Sequence, residues 1–177
     1  MARSPKLKLK LPLESSESAS GWQYITVPYE AGERFPRNGG SRRVICTINK
    51  TETFPCALMP YEGVFTIVVN KARRKKLSIA PGDILDIEIT ADDSKYGMPM
   101  PEELEEVLNQ DPDGQALFDA LKPGQQRSMM YYIGKLNDID RRIHSALIFI
   151  DHIKRNDGKI DHKAIAEELK RPSIDSL

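Results

Sequence analysis

The chain has little of what would assign it directly to a function class. Of its 177 residues only two are cysteine, three histidine and one tryptophan. Two cysteines cannot build the multi-bridge framework of a small secreted domain. The three histidines, without a His-Glu-x-x-His run or a Cys-x-x-Cys pair, offer no metal-ligand spacing. Charge of one sign is also lacking, because 26 Lys and Arg offset 26 Asp and Glu. No long-range field draws the molecule to nucleic acid or anionic lipid, so any such binding needs a local patch. Long apolar runs are missing too. The start, Met1 to Lys10, alternates Lys with Leu instead of forming an export signal or spanning segment. We expect a protein of the reducing cytosol with no membrane insertion. Finally, no Gly-x-Ser-x-Gly, Walker loop or Gly-x-Gly-x-x-Gly supports acyl, phosphoryl or dinucleotide chemistry. The expectation is a non-enzymatic protein without cofactor or metal.

What is present is ordinary globular material in two styles. Hydrophobic residues at 40% are enough for a real core. Leu7, Leu9, Leu11 and Leu13 alternate with polar residues as in a half-buried strand. Glu14 to Gly21 reads as a loop, Trp22 to Val27 as a second strand, and the stretch up to Gly39-Gly40 as a short helix or loop. Arg43–Ile48 and Phe54–Leu58 form a hairpin. Folding it about Thr51 sets Val44, Cys46 and Ile48 opposite Leu58, Cys56 and Phe54, all on one buried face. Val64–Val69 is a β-branched strand, Asn70 caps a helical turn Lys71–Leu77, and Pro81-Gly82-Asp83 leads into a strand Ile84–Ile89.

The apolar period changes after Asp92-Asp93, and Ser94–Met100 reads as a linker. Pro101 opens a helix with Glu102, Glu103, Glu105 and Glu106 near its positive end. Further helices are expected over Asp113–Leu121, Pro123–Leu136, Asp138–Arg155 and His162–Arg171. In the fourth of these five, Ile139, Ile143, Ala146, Leu147, Ile150 and Ile153 recur at three and four residues, with Ile143, Leu147 and Ile150 expected to face inward. The fold class is therefore α+β. A closed or partly closed β-barrel of about six strands (1–93) is joined by a linker (94–100) to a helical domain of four to five helices (101–177).

These residues resemble two known families. Trp22–Pro28, the hairpin Val44–Pro60, the stretch Phe65–Leu77 and Pro81-Gly82-Asp83 resemble a small bacterial β-barrel domain of unknown function. Leu117–Pro123, Tyr132-Ile133-Gly134-Lys135 and Arg141-Arg142-Ile143 resemble the helical YdeI/OmpD-associated family, often labelled bacteriocin protection. The two resemblances run from about Leu7 to about Ile153. Where the second family often carries Thr-Arg before its Arg-Arg-Ile, this chain has Ile139-Asp140. The resemblance implies a role in resistance to antimicrobial peptides, which a cytosolic chain can fill only indirectly.

Candidate sites compete with simpler structural explanations. Cys46 and Cys56 read as reduced core thiols. His144 and His152 lie roughly 80° apart around a helix and share no ligand spacing. The loop Ile153–Ala164 imitates a calcium loop but lacks acids at its first and twelfth positions. Ala164–Leu169 resembles the start of a helix-turn-helix, with no second helix to follow it. Asp111 with Asp113 and Asp138 with Asp140 are helix caps and dipole partners.

Two clusters remain. Tyr131, Tyr132, Lys135 and Arg142, beside Met129 and Met130, combine aromatic and cationic groups that can line a groove for an anionic or peptide ligand. Arg73, Arg74, Lys75 and Lys76, joined by Arg42 and Arg43, form the strongest basic cluster, and Asn70–Ile89 resembles the swapped-hairpin barrels of bacterial transition-state regulators. Three readings follow: a binding or adaptor protein linked to stress or antimicrobial-peptide resistance, a nucleic-acid-binding barrel, and a small-molecule-binding helical module. The partner is unknown, a protein or a small molecule, with nucleic acid the weaker case; oligomerisation stays open.

Overall fold

The alternation of Lys and Leu at the start of the chain produces an edge strand, β1 (Lys6–Pro12), in the computed structural model, which describes residues 4–19, 21–37 and 40–172. Leu7, Leu9 and Leu11 face inward opposite Ile89, Ile87 and Leu85 of β7 (Ile84–Ala91). Lys6 and Lys8 meet Glu88 at 3.0 and 3.8 Å, and Lys10 meets Asp86 at 3.5 Å. A lysine-bearing edge resists further strand addition.

The chain divides into two compact units, Met1–Gly97 and Met98–Leu177. The first adds β2 (Glu14–Ser15), β3 (Gln23–Val27), α1 (Tyr29–Gly32), β4 (Arg42–Ile48), β5 (Glu52–Tyr61), β6 (Val64–Val68) and α2 (Lys71–Leu77). All strand pairs are antiparallel, in the order β1-β7-β4-β5-β6-β3-β2, which makes a seven-strand half-barrel. Its interior is filled by side chains including Ile25, Phe35, Val44, Ile48, Leu58, Ile67 and Ile89.

The seventh strand, against an expected six, is β2. It pairs Glu14 with Tyr24 and Ser15 with Gln23. The Thr26 hydroxyl donates to the Glu14 carboxylate, so a polar contact supports this pairing and no apolar alternation announces it. The β4–β5 hairpin is also displaced from the expected register. Asn49 and Lys50 both adopt positive φ, 50° and 60°, and Thr51 N–H donates to the Ile48 carbonyl at 3.1 Å. The chain therefore reverses one residue before Thr51. Cys46 faces Phe54, and Cys56 faces Val44. A two-residue slip keeps every side chain on its face, so the shared inward face survives the change.

The second unit contains α3 (Glu102–Gln110), α4 (Pro112–Ala120), α5 (Pro123–Gly134), α6 (Ile139–Arg155) and α7 (His162–Glu168). Seven helices are thus present among the described residues, two of them in the first unit. Asp111, Asp138 and Asp161 cap α4, α6 and α7 by accepting from Gly114, Arg141, and Lys163 with Ala164. Gly114 lets α4 lie on α6, since a Cβ there would stand 2.5 Å from Ile150 Cγ2.

The inward face of α6 differs from the expected one. Ser145, Ala146, Phe149, Ile150, His152 and Ile153 are buried, whereas Ile139, Ile143 and Leu147 are 64%, 40% and 51% exposed. The buried arc is turned by roughly 100° from the Ile143–Leu147 side. The cause is polar. Ser145 and His152 belong to the core face although their chemistry removes them from an apolar count, and His152 is held by donating to Glu168 of α7 and accepting from the α7 cap Asp161.

Candidate binding groove of the helical unit

α7 is tied to α6 by an internal polar chain. Asp161 N–H donates to His152 Nε2 at 3.0 Å, so this ring nitrogen is an acceptor and Nδ1 carries the proton. Nδ1 points to Glu168 Oε1 at 3.4 Å, and Arg155 Nη2 donates to Glu168 Oε2 at 2.8 Å. His152 and Glu168 are both buried, so each needs these partners.

With α7 held there, α5, α6 and α7 enclose a groove of about 1060 Å³. Its base is apolar, made of Met129, Phe149 and Ile165, all buried. Tyr132 forms part of the α5 wall and meets Phe149 edge-on, with ring centroids 5.6 Å apart at 77°. Lys135 Nζ lies 5.3 Å from the Tyr132 ring centroid. Arg141, Lys170 and Arg171 supply cations to the lining, and Asp138 and Asp140 supply acids. Asp138 is engaged as the α6 cap, and Lys170 pairs with Glu167 at 3.0 Å. Such a groove can hold an amphipathic ligand, with its apolar part on the base and a negative group at the rim.

The four residues expected to form a ligand site are placed unequally. Tyr132 faces the groove, with Lys135 against its ring. Tyr131 is largely exposed, and its ring centroid is 5.7 Å from Lys135 Nζ. Met129 and Met130 are core. Arg142 turns away to a structural position. Its Nε and Nη2 donate to the Leu136 and Gly134 carbonyls, each at 2.7 Å, and Nη1 meets Glu103 Oε1 at 3.3 Å.

The basic cluster of the first unit is spent largely on its own structure. Asn70 caps α2 by accepting from Arg73 N–H at 2.9 Å. The Arg73 guanidinium lies 4.0 Å from the Phe54 ring centroid and 3.5 Å from Glu52, which Lys76 also meets at 2.6 Å. Arg42 donates to the Phe35 carbonyl and Arg43 to that of Gly97, the latter at 2.9 Å. Arg74 and Lys75 have no carboxylate partner among the described residues.

Cys46 is buried, Cys56 is half-buried, and neither forms a disulfide. Burial pushes the Cys46 thiol far above its ordinary range. It also raises Cys56 to about 12, against the opposing pull of Arg43 and Arg73. Among the described residues no group of three or more His, Cys, Asp or Glu side chains is arranged to hold a metal ion. No helix among them is long and apolar enough to cross a membrane.

Sequence reasoning did not anticipate the α7 wall, because His162–Arg171 read as a packing helix. The usable signal was Ile165 and Leu169, four residues apart and facing the same groove.

The class defined by these observations is a two-part α+β protein, an antiparallel half-barrel followed by a helical unit. Residues 11–89 match the family described as a domain of unknown function, DUF1905, and residues 98–156 match the family described as bacteriocin-protection, YdeI or OmpD-associated. The two matched segments follow one another in that order. The second match ends before α7, so one wall of the groove lies outside the matched residues. No curated protein and no solved structure matches the chain.

Proposed function

We infer that the chain is a non-enzymatic, cytoplasmic binding or adaptor protein whose ligand occupies the α5–α6–α7 groove. The observation that carries this reading is the joining of an apolar base with an aromatic wall and a cationic rim, in a volume suited to a small organic ligand. The ligand class that fits is an amphipathic molecule with one negative group, its ring or chain against Tyr132 and Phe149 and its charge near Arg141 or Arg171. The family description, bacteriocin protection, supports a role in stress or antimicrobial-peptide resistance. In this reading the protein contributes indirectly, by sequestering or sensing a cellular compound.

Native mass spectrometry after incubation with a small-molecule extract tests the reading. Ala166 is exposed and lines the groove, so Ala166→Trp fills the space with little demand on the core. The wild type should retain a compound that Ala166→Trp loses. A compound retained equally by both proteins, or none retained by either, overturns it.

A further inference from the structure

The opposite side of α6 carries a second groove that the first reading does not use. Ile139, Ile143 and Leu147 follow one another at four-residue spacing, and all three are exposed. They span about 12 Å of helix. Together with Val107 of α3 they line a groove of about 710 Å³ between α3 and α6. Scattered exposed aliphatics are normal, but three in one stripe along a groove make a continuous apolar surface.

The rim decides the kind of occupant. Five carboxylates line this groove, Glu102, Glu103, Glu106, Asp111 and Asp151, with Lys154 the one cation in the lining; from outside the lining Arg142 meets Glu103 at 3.3 Å and Arg155 meets Asp151 at 2.8 Å. Lys154 is already committed to Asp111 at 2.8 Å, and this contact holds the Asp111 carboxyl below its ordinary range. Glu102 and Glu106 have no cationic partner among the described residues, and they stand one helical turn apart on α3. Phosphate-bearing partners would be repelled. A second copy docking through the same face would set one acidic rim against another.

We propose that the α3–α6 groove docks a cationic amphipathic helix from a partner protein or peptide. Apolar residues at i, i+4 and i+7 or i+8 of that helix lie on Ile143, Leu147 and Val107, while Lys or Arg on its flanks pair with Glu102 and Glu106. The site is separate from the α5–α6–α7 groove and stands without the function proposed for it.

The test uses the full-length protein and a labelled peptide of about 20 residues, long enough to be helical, built from Leu and Lys in this pattern. Its counterpart replaces every Lys by Glu. Fluorescence anisotropy should show binding of the Lys peptide that weakens with salt, and no binding of the Glu peptide. Leu147→Ser should weaken it roughly 10-fold, the loss expected for about half of one buried aliphatic side chain or more. Glu102→Gln combined with Glu106→Gln should weaken it comparably, whereas Ile84→Ser, at an exposed aliphatic of the first unit, should leave it unchanged. Circular dichroism establishes that each variant is folded. The proposal is overturned by equal binding of both peptides, by no binding, or by binding that Leu147→Ser or the Glu pair leaves intact in folded protein.

Discussion

Replacing Arg142 with Met should destabilise the helical unit by about 3 kcal/mol, because the guanidinium joins three otherwise separate pieces of chain. Nε and Nη2 hold the Leu136 and Gly134 carbonyls just beyond and at the end of α5, and Nη1 holds Glu103 on α3. A hydrogen bond involving a charged group contributes about 1.5–3 kcal/mol net. The Gly134 carbonyl contact is exposed and can be replaced by water, so its share is small; the Leu136 contact is half-buried. Glu103 is the costlier loss. Its side chain is only 13% exposed and its Oε2 already has no hydrogen-bond partner, so Arg142 is its one ionic contact. Leaving a largely buried acceptor unpaired costs about 1–3 kcal/mol. Adding Glu103→Gln to Arg142→Met should therefore recover about 1 kcal/mol, a coupling that an additive pair would not show. Leu147→Ala, at a half-exposed position, should cost less than about 1 kcal/mol. Urea denaturation followed by far-ultraviolet circular dichroism measures the wild type, these three variants and the Glu103→Gln single variant that closes the cycle. If Leu147→Ala costs more than Arg142→Met, the assignment of the two faces of α6 is wrong.

Three further outcomes are expected. Gly114→Ala should destabilise by about 1–3 kcal/mol through its clash with Ile150, whereas Gly124→Ala, with no atom within 4 Å of the new Cβ, should be neutral or slightly stabilising in a thermal melt. Cys46 and Cys56 should react with a thiol reagent only after unfolding. Because burial holds both thiols protonated above the ordinary thiol value of 9.0, the unfolded chain releases protons first, so the thiols' contribution to stability should be constant below about pH 9 and fall as pH rises towards the Cys56 value of about 12, read by urea denaturation. Duplex DNA should bind weakly, with a log–log salt slope of roughly −2 if Arg74 and Lys75 act alone; a slope near −4 that disappears when Arg73, Arg74, Lys75 and Lys76 are neutralised would revive the nucleic-acid reading.

Much of the half-barrel was legible because its strands are built on period two. Lys6–Pro12 shows this most plainly: its alternation fixes the face, and the face decides which residues oppose Leu85, Ile87 and Ile89. The hairpin register was not legible to the residue. Nothing in Asn49-Lys50-Thr51 distinguishes a reversal at Asn49-Lys50 from one about Thr51, and the positive φ of Lys50 is a conformation that non-glycine residues seldom adopt. β2 escaped notice because two residues joined by a Thr–Glu contact have no periodicity to detect.

The candidate site was legible in one wall only, and His152 explains why. An apolar stripe is a reliable guide to the buried face of a helix when the polar residues are all outside. In α6 the core includes Ser145 and His152, so an apolar count shifts the apparent inner face towards Ile143 and Leu147. The shift conceals two things together. It hides the α7 attachment, whose Asp161–His152–Glu168–Arg155 chain is built from residues that read as solvated. It also hides the exposed Ile139–Leu147 stripe, because residues assigned to the core are not available as a surface. A buried histidine that accepts from one backbone N–H and donates to a paired carboxylate is satisfied in its neutral form. Its removal should then loosen α7 and open the α5–α6–α7 groove, while leaving the α3–α6 face as it stands.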